Sequence, residues 1–426
     1  MIVGQRFQNL APAQKTVRAL LFTMMLLWPY VLALSHRSIA IVFTIGALSC
    51  LLLPEVRQSL WAAFGKNKNL ALLFALGFAF YVSISTLWAP DIAFADDGPR
   101  LFMMVLNGFF LLTVADIMRP AFRNRYLLFA GLAILVIGFE AVTGGWLRDI
   151  TPPMNDPARD DVATGRGITI GLFFLPALWL MIWQGVGITG FLSMRGKALL
   201  TGLSFILMAV GALRFGIAAN LLAILTLLAV WLMTLRFAKS ILNIVFIAAL
   251  ALLLFTPFIV LALPSLEDLN ALEQGPASWR MRLVIWKYTA GEIFSDPAIF
   301  LFGHGVNATK ALTEASPIMT LPGAPPSAYM LPTHPHNLFL QIWFEYGLVG
   351  AGLVSGFFLA IWQALSRLAG GDRLIMAAMA SLFAMFLVFA AVEASLWTQW
   401  RLVSPVFGVW GILLALPNQR SLLRFS

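Results

Sequence analysis

Long apolar segments recur along this chain, each separated from the next by a short polar stretch. A helix of about 20 apolar residues crosses the roughly 30 Å hydrocarbon core of a bilayer. We count about 12 such segments, at 18–34, 38–54, 69–88, 101–118, 126–147, 167–184, 198–213, 216–235, 241–263, 338–365, 374–394 and 402–416. Only 11% of the residues are charged, against about 25% in soluble domains. The pattern predicts an all-α polytopic membrane protein and excludes a soluble enzyme, a disordered chain and a β-barrel, whose strands alternate apolar with polar residues.

The positions of the charges predict the orientation of these spans. With the N-terminus inside, the inside segments carry 17 of the 28 Lys and Arg residues, namely Arg6, Lys15, Arg18, Arg57, Lys66, Lys68, Arg119, Arg123, Arg125, Arg195, Lys197, Arg236, Lys239, Arg367, Arg373, Arg420 and Arg424. The outside loops carry acids instead, namely Asp91, Asp96, Asp97, Asp149, Asp156, Asp160 and Asp161. This positive-inside pattern predicts an even number of spans with both termini in the cytoplasm. The net charge of +9 is then expected at the anionic cytoplasmic leaflet, with no nucleic-acid role.

One loop is much longer than the others. Residues 264–337 lie outside between spans 9 and 10 and divide the chain into spans 1–9 (1–263), the loop, and spans 10–12 with a short cytoplasmic tail (338–426). Its segment WRMRLVIWKYTAGEIF predicts an amphipathic helix, and long ordered loops are usually functional. The first apolar segment has no evident cleavage site and is expected to be an uncleaved helix. The single cysteine, Cys50, excludes an internal disulfide.

Histidines and arginines collect at this outside face. His334 and His336 lie where the loop meets span 10, and a histidine there can accept a proton from a hydroxyl or can be an interfacial polar residue. Arg214, between spans 7 and 8, either binds an anion or snorkels from a tight turn. Arg282 and Arg280 lie in the predicted loop helix, where the alternative is a solvated face; the i, i+4 spacing to a tryptophan favours Arg282. Cations and a histidine at one face suit a lipid-linked phosphate or pyrophosphate, with arginine binding phosphate and histidine acting as base.

Other polar residues have weaker signals. Asn337 is placed to cap the helix of span 10, and Glu345, nine residues after His336, could orient an arginine or pair across helices. Further charged residues of the outside face are Arg37, Arg100, Arg148, Arg166, Arg401, Glu140 and Glu393. A zinc site of His304, His334 and His336 is a competing interpretation. A P-loop, a Rossmann fingerprint, a nucleophile elbow and an HExxH motif are all absent from the sequence.

Three sequence blocks resemble the O-antigen ligase and O-antigen polymerase superfamily. The first is His-Asn followed by Leu, Glu and two glycines at fixed spacing, here His336, Asn337, Leu340, Glu345, Gly347 and Gly350. The second is an Arg four residues before a Trp, then Pro and Gly-x-Gly, here Arg282, Trp286, Pro297 and Gly303–His304–Gly305. The third, usually Ser-Arg-Gly, reads Leu213–Arg214–Phe215–Gly216 here and keeps the arginine but not its neighbours.

The resemblance implies a metal-independent, inverting glycosyltransferase of lipopolysaccharide biosynthesis in the bacterial inner membrane, with its long loop and active site in the periplasm and without a cofactor. It would move an O-antigen glycan from undecaprenyl pyrophosphate to a sugar hydroxyl of lipid A–core. The resemblance implies that His336 is the general base and that Arg214 and Arg282, or Arg280 in its place, bind the pyrophosphate. Asn337, Glu345 and His334 would support them.

Other functions stay open at this point. A polymerase of O-antigen or exopolysaccharide shares the signature and the donor but uses a lipid-linked glycan as acceptor, and no residue separates it from the ligase. A protein O-oligosaccharyltransferase would use a polypeptide acceptor. A flippase or other lipid transporter would need charges at mid-depth in the membrane, whereas the charges here are predicted at the outer edge. The glycan, the acceptor hydroxyl and the oligomeric state are not encoded in any pattern that we find.

Overall fold

The computed structural model of the chain describes residues 15–21, 23–24, 27, 38–54, 57–58, 70–146, 157–215, 218–369 and 371–416. Most of the predicted span 18–34 lies outside these residues. So do the following charged residues of the topology prediction: Arg6, Arg37, Lys66, Lys68, Arg148, Asp149, Asp156, Arg420 and Arg424. Within the described residues the regular structure is helical, and its β-pairing is a single isolated bridge between Ile318 and Tyr329.

The α-helices follow the apolar segments closely. In chain order they are α1 (Ser38–Cys50), α2 (Leu70–Ile84), α3 (Asp97–Thr143), α4 (Pro157–Trp183), α5 (Met194–Arg214), α6 (Ala218–Phe237), α7 (Lys239–Leu261), α8 (Leu266–Asn270), α9 (Ala277–Ile293), α10 (Pro297–Phe302), α11 (Ala308–Ala311), α12 (Leu338–Ala369), α13 (Arg373–Val392) and α14 (Gln399–Ala415). In the described part of the chain, eight helices are long and apolar enough to cross a membrane. The prediction of an all-α polytopic membrane protein is confirmed.

One difference concerns the predicted spans 101–118 and 126–147, which together form the single helix α3. In a straight helix Gly108 and Tyr126 would lie about 27 Å apart. Instead, Gly108 packs beside Val406, and the Tyr126 hydroxyl donates a hydrogen bond of 3.0 Å to the carbonyl of Phe407. Both parts of α3 therefore pack on the same region of α14, which requires α3 to bend between them.

Helix α4 is the centre of the bundle. In the 18-residue apolar window of its membrane-crossing segment, Thr164–Trp183, 94% of the residues are buried, because α3, α5, α13 and α14 all pack around it. Apart from Thr164, Arg166 and Thr169 near its start, the segment is apolar on every side, which is the pattern expected of a helix without a solvent or lipid face. A second apolar cluster joins α2, α7 and the first part of α12. The apolar core around α4 and this second cluster together hold the helix ends that carry the candidate site.

Helix α12 is interrupted at Gly347, which adopts φ +57° and ψ −156°. The interruption leaves carbonyls without helical partners, and two of them accept hydrogen bonds of 2.9 Å, Phe344 from the amide of His304 and Glu345 from the amide of Gly305. Gly303 (φ +74°) lies so close to the Glu345 backbone that a Cβ atom there would overlap it. Glycine is required at both positions by the positive φ and by this close approach.

The segment 264–337 is ordered by its own small core. Leu269, Val284, Ile285, Met319 and Leu321 are buried together, and α9 packs on α7 and α12. The Lys287 ammonium donates to the carbonyls of Leu261 and Leu263, which end α7. We call the end of the bundle that this segment covers, where α12 and α14 begin and α13 ends, the loop face.

Candidate functional site

Helix α9 positions the histidine segment through two residues one turn apart. The indole N–H of Trp286 donates a 2.9 Å hydrogen bond to the carbonyl of Pro335, directly before His336. One turn earlier, Arg282 extends towards the C-terminal end of α13, where its Nε donates to the carbonyl of Val392 at 3.2 Å. The i, i+4 spacing that favoured Arg282 from the sequence therefore places both side chains on the face of α9 that meets the helix bundle.

His336 has an unusual backbone conformation. Its φ is +53°, in the left-handed region that few non-glycine residues adopt. Directly after it, Asn337 accepts hydrogen bonds from the amides of Phe339 (3.0 Å) and Leu340 (3.1 Å), so it caps α12 as its sequence position predicts. A residue held at positive φ between a cap and an anchored carbonyl has a fixed side-chain direction, which is common at functional sites.

Glu393 is the centre of the charged cluster at the loop face. Its Oε2 accepts a hydrogen bond from Arg282 Nη2 at 3.1 Å, and its Oε1 accepts one from Arg401 Nη2 at 2.5 Å. The same Oε2 lies 4.0 Å from His336 Nδ1, which is an ion-pair distance but longer than a hydrogen bond. The imidazole ring of His334 lies beside that of His336, with centroids 4.3 Å apart. We call Arg282, His334, His336, Glu393 and Arg401 the charged cluster.

Both histidines of the cluster favour the neutral form. Burial lowers the pKa of His336, Glu393 opposes that effect, and Arg282 and Arg401 add to it. The pKa of His334 is lowered to about 3, by burial first and then by its neighbours His336, Arg401, Arg166 and Arg282. Besides the two imidazoles, the groups acting on these pKa values are three guanidinium groups and one carboxylate. With neutral histidines this set carries 3 − 1 = +2 charges.

The other predicted arginines lie apart from this cluster. Arg280 donates to the carbonyls of Gly275 (3.1 Å) and Leu272, at the start of α9. Arg214 ends α5, is exposed, and donates to the carbonyl of Val142 near the end of α3. Arg214 does share the loop face. Six residues after Arg214, Asn220 near the start of α6 donates to the Gly165 carbonyl at 3.0 Å. Gly165 is next to Arg166, whose charge acts on His334, so the end of α5 and the start of α6 lie on the same side of the bundle as the charged cluster.

Glu345 makes its hydrogen bonds across helices, which is the second of the two roles that the sequence left open. It is fully buried and accepts hydrogen bonds from Thr309 (2.6 Å), Gln341 (3.0 Å) and the indole N–H of Trp397 (2.9 Å). The amide oxygen of Gln341 in turn accepts from the backbone N–H of Leu396 at 3.0 Å. Its partners among the described residues include no arginine, so its contacts tie α11 and the segment between α13 and α14 to α12.

The zinc alternative gains no support from the described residues. Within that part of the chain, no group of three His, Cys, Asp or Glu side chains could hold a metal ion. His304 instead lies in the Gly-x-Gly turn, with its ring 4.4 Å from that of Phe344. Burial lowers its pKa, as expected of a neutral ring packed against an aromatic side chain.

Sequence reasoning gave little weight to Glu393 and Arg401. Both were visible only as charged residues at the outer ends of apolar segments, among several others of that kind. The stronger signal was an acid at the end of an apolar helix, because such a residue needs a cationic partner nearby. Arg282 of α9, His336 just before α12 and Arg401 of α14 all lie around Glu393.

Comparison with known proteins covers part of this architecture. Residues 198–355 match the family model described as O-antigen ligase. The match covers just over a third of the chain, and this region is similar to the O-antigen ligase family. The resemblance inferred from the three sequence blocks is thereby confirmed. The matched region contains Arg214, Arg282 and His336, whereas Glu393 and Arg401 follow it.

Curated relatives agree with this assignment. A protein of Rickettsia typhi named "Putative polysaccharide ligase" is 28% identical over 138 residues, 31% of either chain. Similarly named proteins of Rickettsia prowazekii and Rickettsia bellii are 27% identical over 137 residues and 26% over 134 residues. The match spans about a third of the length of each of these relatives. The likeness to them therefore covers a stretch comparable in length to residues 198–355, which match the family model.

Proposed function

We propose that the chain is a glycosyltransferase that moves an O-antigen glycan from undecaprenyl pyrophosphate to a sugar hydroxyl of lipid A–core. The observation that carries this proposal is the charged cluster, in which a neutral histidine lies beside a carboxylate and a surplus of arginine. The match to the O-antigen ligase family and the relatives' names as polysaccharide ligases support the reaction class.

His336 is the general base in this proposal. The acceptor hydroxyl attacks the anomeric carbon while its proton passes to the Nε2 atom of the imidazole. The bond from that carbon to the pyrophosphate oxygen breaks, and the configuration is inverted. For Nε2 to accept this proton, the neutral ring carries its own hydrogen at Nδ1, an atom that is buried and faces Glu393. The carboxylate then stabilises the imidazolium, so Glu393 is a positioning residue for the base.

The leaving group determines the role of the arginines. Pyrophosphate departs with developing negative charge, and fixed guanidinium groups stabilise such charge without reorganisation. Arg282 and Arg401 are held in place by Glu393, and Arg166 adds a third positive charge. We assign pyrophosphate binding to Arg282 rather than Arg280. Arg214 is proposed to contribute from the same face, by movement of a side chain that is exposed.

The proposed membrane placement follows the charge pattern. With the basic segments in the cytoplasm, the loop face opens to the periplasm of a bacterial inner membrane and both termini are cytoplasmic. The donor then reaches the charged cluster from the outer leaflet, with segment 264–337 covering the site. The energy of the pyrophosphate linkage drives the transfer, so the proposal requires neither ATP nor another cofactor.

A reconstituted transfer assay tests the proposal. Wild-type protein in lipid nanodiscs is mixed with undecaprenyl-pyrophosphate-linked glycan and lipid A–core, with EDTA present. We expect glycan-bearing lipid A–core from wild type and at least a 100-fold loss of rate for His336→Ala. Lengthening of the lipid-linked glycan with no change in lipid A–core would mean that the protein is a polymerase and not a ligase. No transfer to either lipid A–core or the lipid-linked glycan, or full rate from His336→Ala, would refute the proposed chemistry.

The arginine assignment has a matched control within one helix. Arg282→Ala removes a guanidinium of the charged cluster, whereas Arg280→Ala removes one that binds two backbone carbonyls of the loop. Both variants lose one positive charge from α9. We expect Arg282→Ala to lose most of its rate and Arg280→Ala to retain most of it. Equal losses would mean that α9 supplies only its overall charge.

A further inference from the structure

A cavity of about 490 Å³ lies between α1, α3 and α14. Its walls are largely apolar, with Phe43, Leu48, Met103, Met104 and Val403 among the lining residues. This volume is within the usual range for small-molecule and lipid-chain sites, about 300–1,000 Å³. The cavity does not involve any side chain of the charged cluster.

One buried polar side chain of the cavity has an oxygen atom that accepts no hydrogen bond from the described residues. Asn107 lines the cavity and is 3% exposed, and its Oδ1 has no hydrogen-bond partner among the described residues. Buried amide oxygens almost always accept a hydrogen bond, because leaving one unpaired is costly. The cavity therefore offers an apolar wall and one acceptor, which suits an alkyl chain with a hydroxyl or amide N–H on it.

Charge separates this cavity from the charged cluster. At its rim the guanidinium of Arg100 lies 3.8 Å from the carboxylate of Asp96, and its other partner, Asp97 at 2.9 Å, does not line the cavity. The charges of the cavity lining therefore balance, and the rim lacks the surplus of positive charge with which the charged cluster would hold a pyrophosphate. Seven residues separate Arg100 from Asn107, which is about 10 Å along a helix. A lipid with its head at the rim would thus place an uncharged linkage, followed by its alkyl chain, beside Asn107.

Helix α14 forms the wall between the cavity and the cluster. Gln399 and Val403 line the cavity and share one side of the helix by their i, i+4 spacing. Arg401 lies between them in sequence, about 200° around the helix axis, and binds Glu393 on the other side. A lipid in the cavity and an anion at the charged cluster would therefore flank the first turn of α14.

We infer that this cavity binds an acyl chain of the acceptor glycolipid, with a hydroxyl or amide N–H of that chain donating to Asn107 Oδ1. The inference rests on the proposed function for the statement that the acceptor is a glycolipid. It assigns the two lipid substrates to opposite sides of α14, the polyprenyl pyrophosphate to the cationic side and the acylated acceptor to the side whose rim charges balance.

Binding measurements test the assignment without transfer activity. Native mass spectrometry of the full-length protein in detergent gives dissociation constants for lipid A–core, undecaprenyl phosphate and phosphatidylglycerol as separate probes. Met103→Trp fills the cavity from a side chain that is 47% exposed, and Asn107→Leu removes the acceptor at similar volume. The matched control is Met233→Trp on α6, where the methionine is 46% exposed and does not line the cavity.

We expect Met103→Trp and Asn107→Leu each to weaken lipid A–core binding at least tenfold, with undecaprenyl phosphate within twofold of wild type. Met233→Trp should leave all three probes unchanged. A loss confined to undecaprenyl phosphate would make the cavity a donor site, and equal losses for phosphatidylglycerol would make it a site for bulk lipid; either result overturns the inference. Unchanged binding of every probe to Met103→Trp also overturns it. Specific lipid A–core binding without any transfer would instead contradict the proposed function alone.

Discussion

The substitution Glu393→Gln tests the central geometry of the site. The change preserves side-chain volume and an acceptor oxygen for Arg282 or Arg401, but it removes the negative charge 4.0 Å from His336 Nδ1. In the proposed reaction this charge stabilises the imidazolium that forms as the acceptor hydroxyl loses its proton. The variant should therefore slow the chemical step rather than weaken substrate binding.

The structure sets the size of the expected loss. Two unit charges 4.0 Å apart attract by about 4 kcal/mol at an effective dielectric constant of about 20. The side chains of His336 and Glu393 are 30% and 24% exposed, so solvent screening reduces this attraction to roughly 1.4–2.8 kcal/mol. A loss of that size in the transition state lowers kcat by about 10- to 100-fold.

Two readouts separate this role from a purely structural one. Loss of the carboxylate makes the cluster more positive, so KM for the pyrophosphate donor should not rise while kcat falls. Because Glu393 raises the pKa of His336 against the effect of burial, the acid limb of the pH–rate profile should move to lower pH in Glu393→Gln. Histidine-selective NMR titration should show the same downward shift in the absence of substrate.

The matched control is Glu314→Gln, which removes one exposed carboxylate from the same loop segment. It should leave kcat and the pH profile unchanged. An unchanged kcat in Glu393→Gln, a rise in KM alone, or an upward shift of the acid limb would each refute the role given to Glu393.

Three further results are expected. Gly347→Ala should lower the thermal midpoint sharply because φ is +57° and its Cβ would meet the Leu301 backbone, whereas the helical Gly352→Ala should not; a thermal melt compares them. Trp286→Phe loses the hydrogen bond to Pro335, about 1 kcal/mol, and should lower kcat severalfold in the transfer assay. Since the His334 pKa is about 3 in the fold and about 6.5 unfolded, stability should fall as pH decreases from about 6.5, and less so in His334→Gln.

The architecture could largely be predicted from apolar segment length, because the bilayer requires about 20 apolar residues for each crossing helix. Helices α4–α7 and α12–α14 lie within a few residues of the predicted spans, apart from an earlier start of α4. Two spans that turn back on each other were predicted at 101–118 and 126–147, but the continuity of α3 through the turn was not predictable, since hydropathy reports which residues are apolar and not how the backbone continues between them. The cap at Asn337 was predictable because capping depends on local sequence.

The charged cluster was only partly predictable for a related reason. His336 and Arg282 were identified by motif and by i, i+4 spacing, which are local patterns. Glu393 lies 57 residues after His336 in the sequence, and its contacts depend on how α9, α13 and α14 pack. Periodicity along a single helix contains no information about that packing, so its partners could not be assigned from the sequence.

The residues of the sequence signature divide into two physical roles. Gly303 and Gly347 allow the Gly-x-Gly turn to dock on the interrupted α12, and Glu345 joins α12 to Thr309 and Trp397. None of these three has the exposed donor or acceptor that a substrate group would require, since their hydrogen bonds are made within the protein. They fix the first turns of α12 and the segment after α13, whose positions determine the distance from His336 to Glu393. A signature rich in glycine and one buried acid is thus what precise placement of a single histidine at a membrane edge requires.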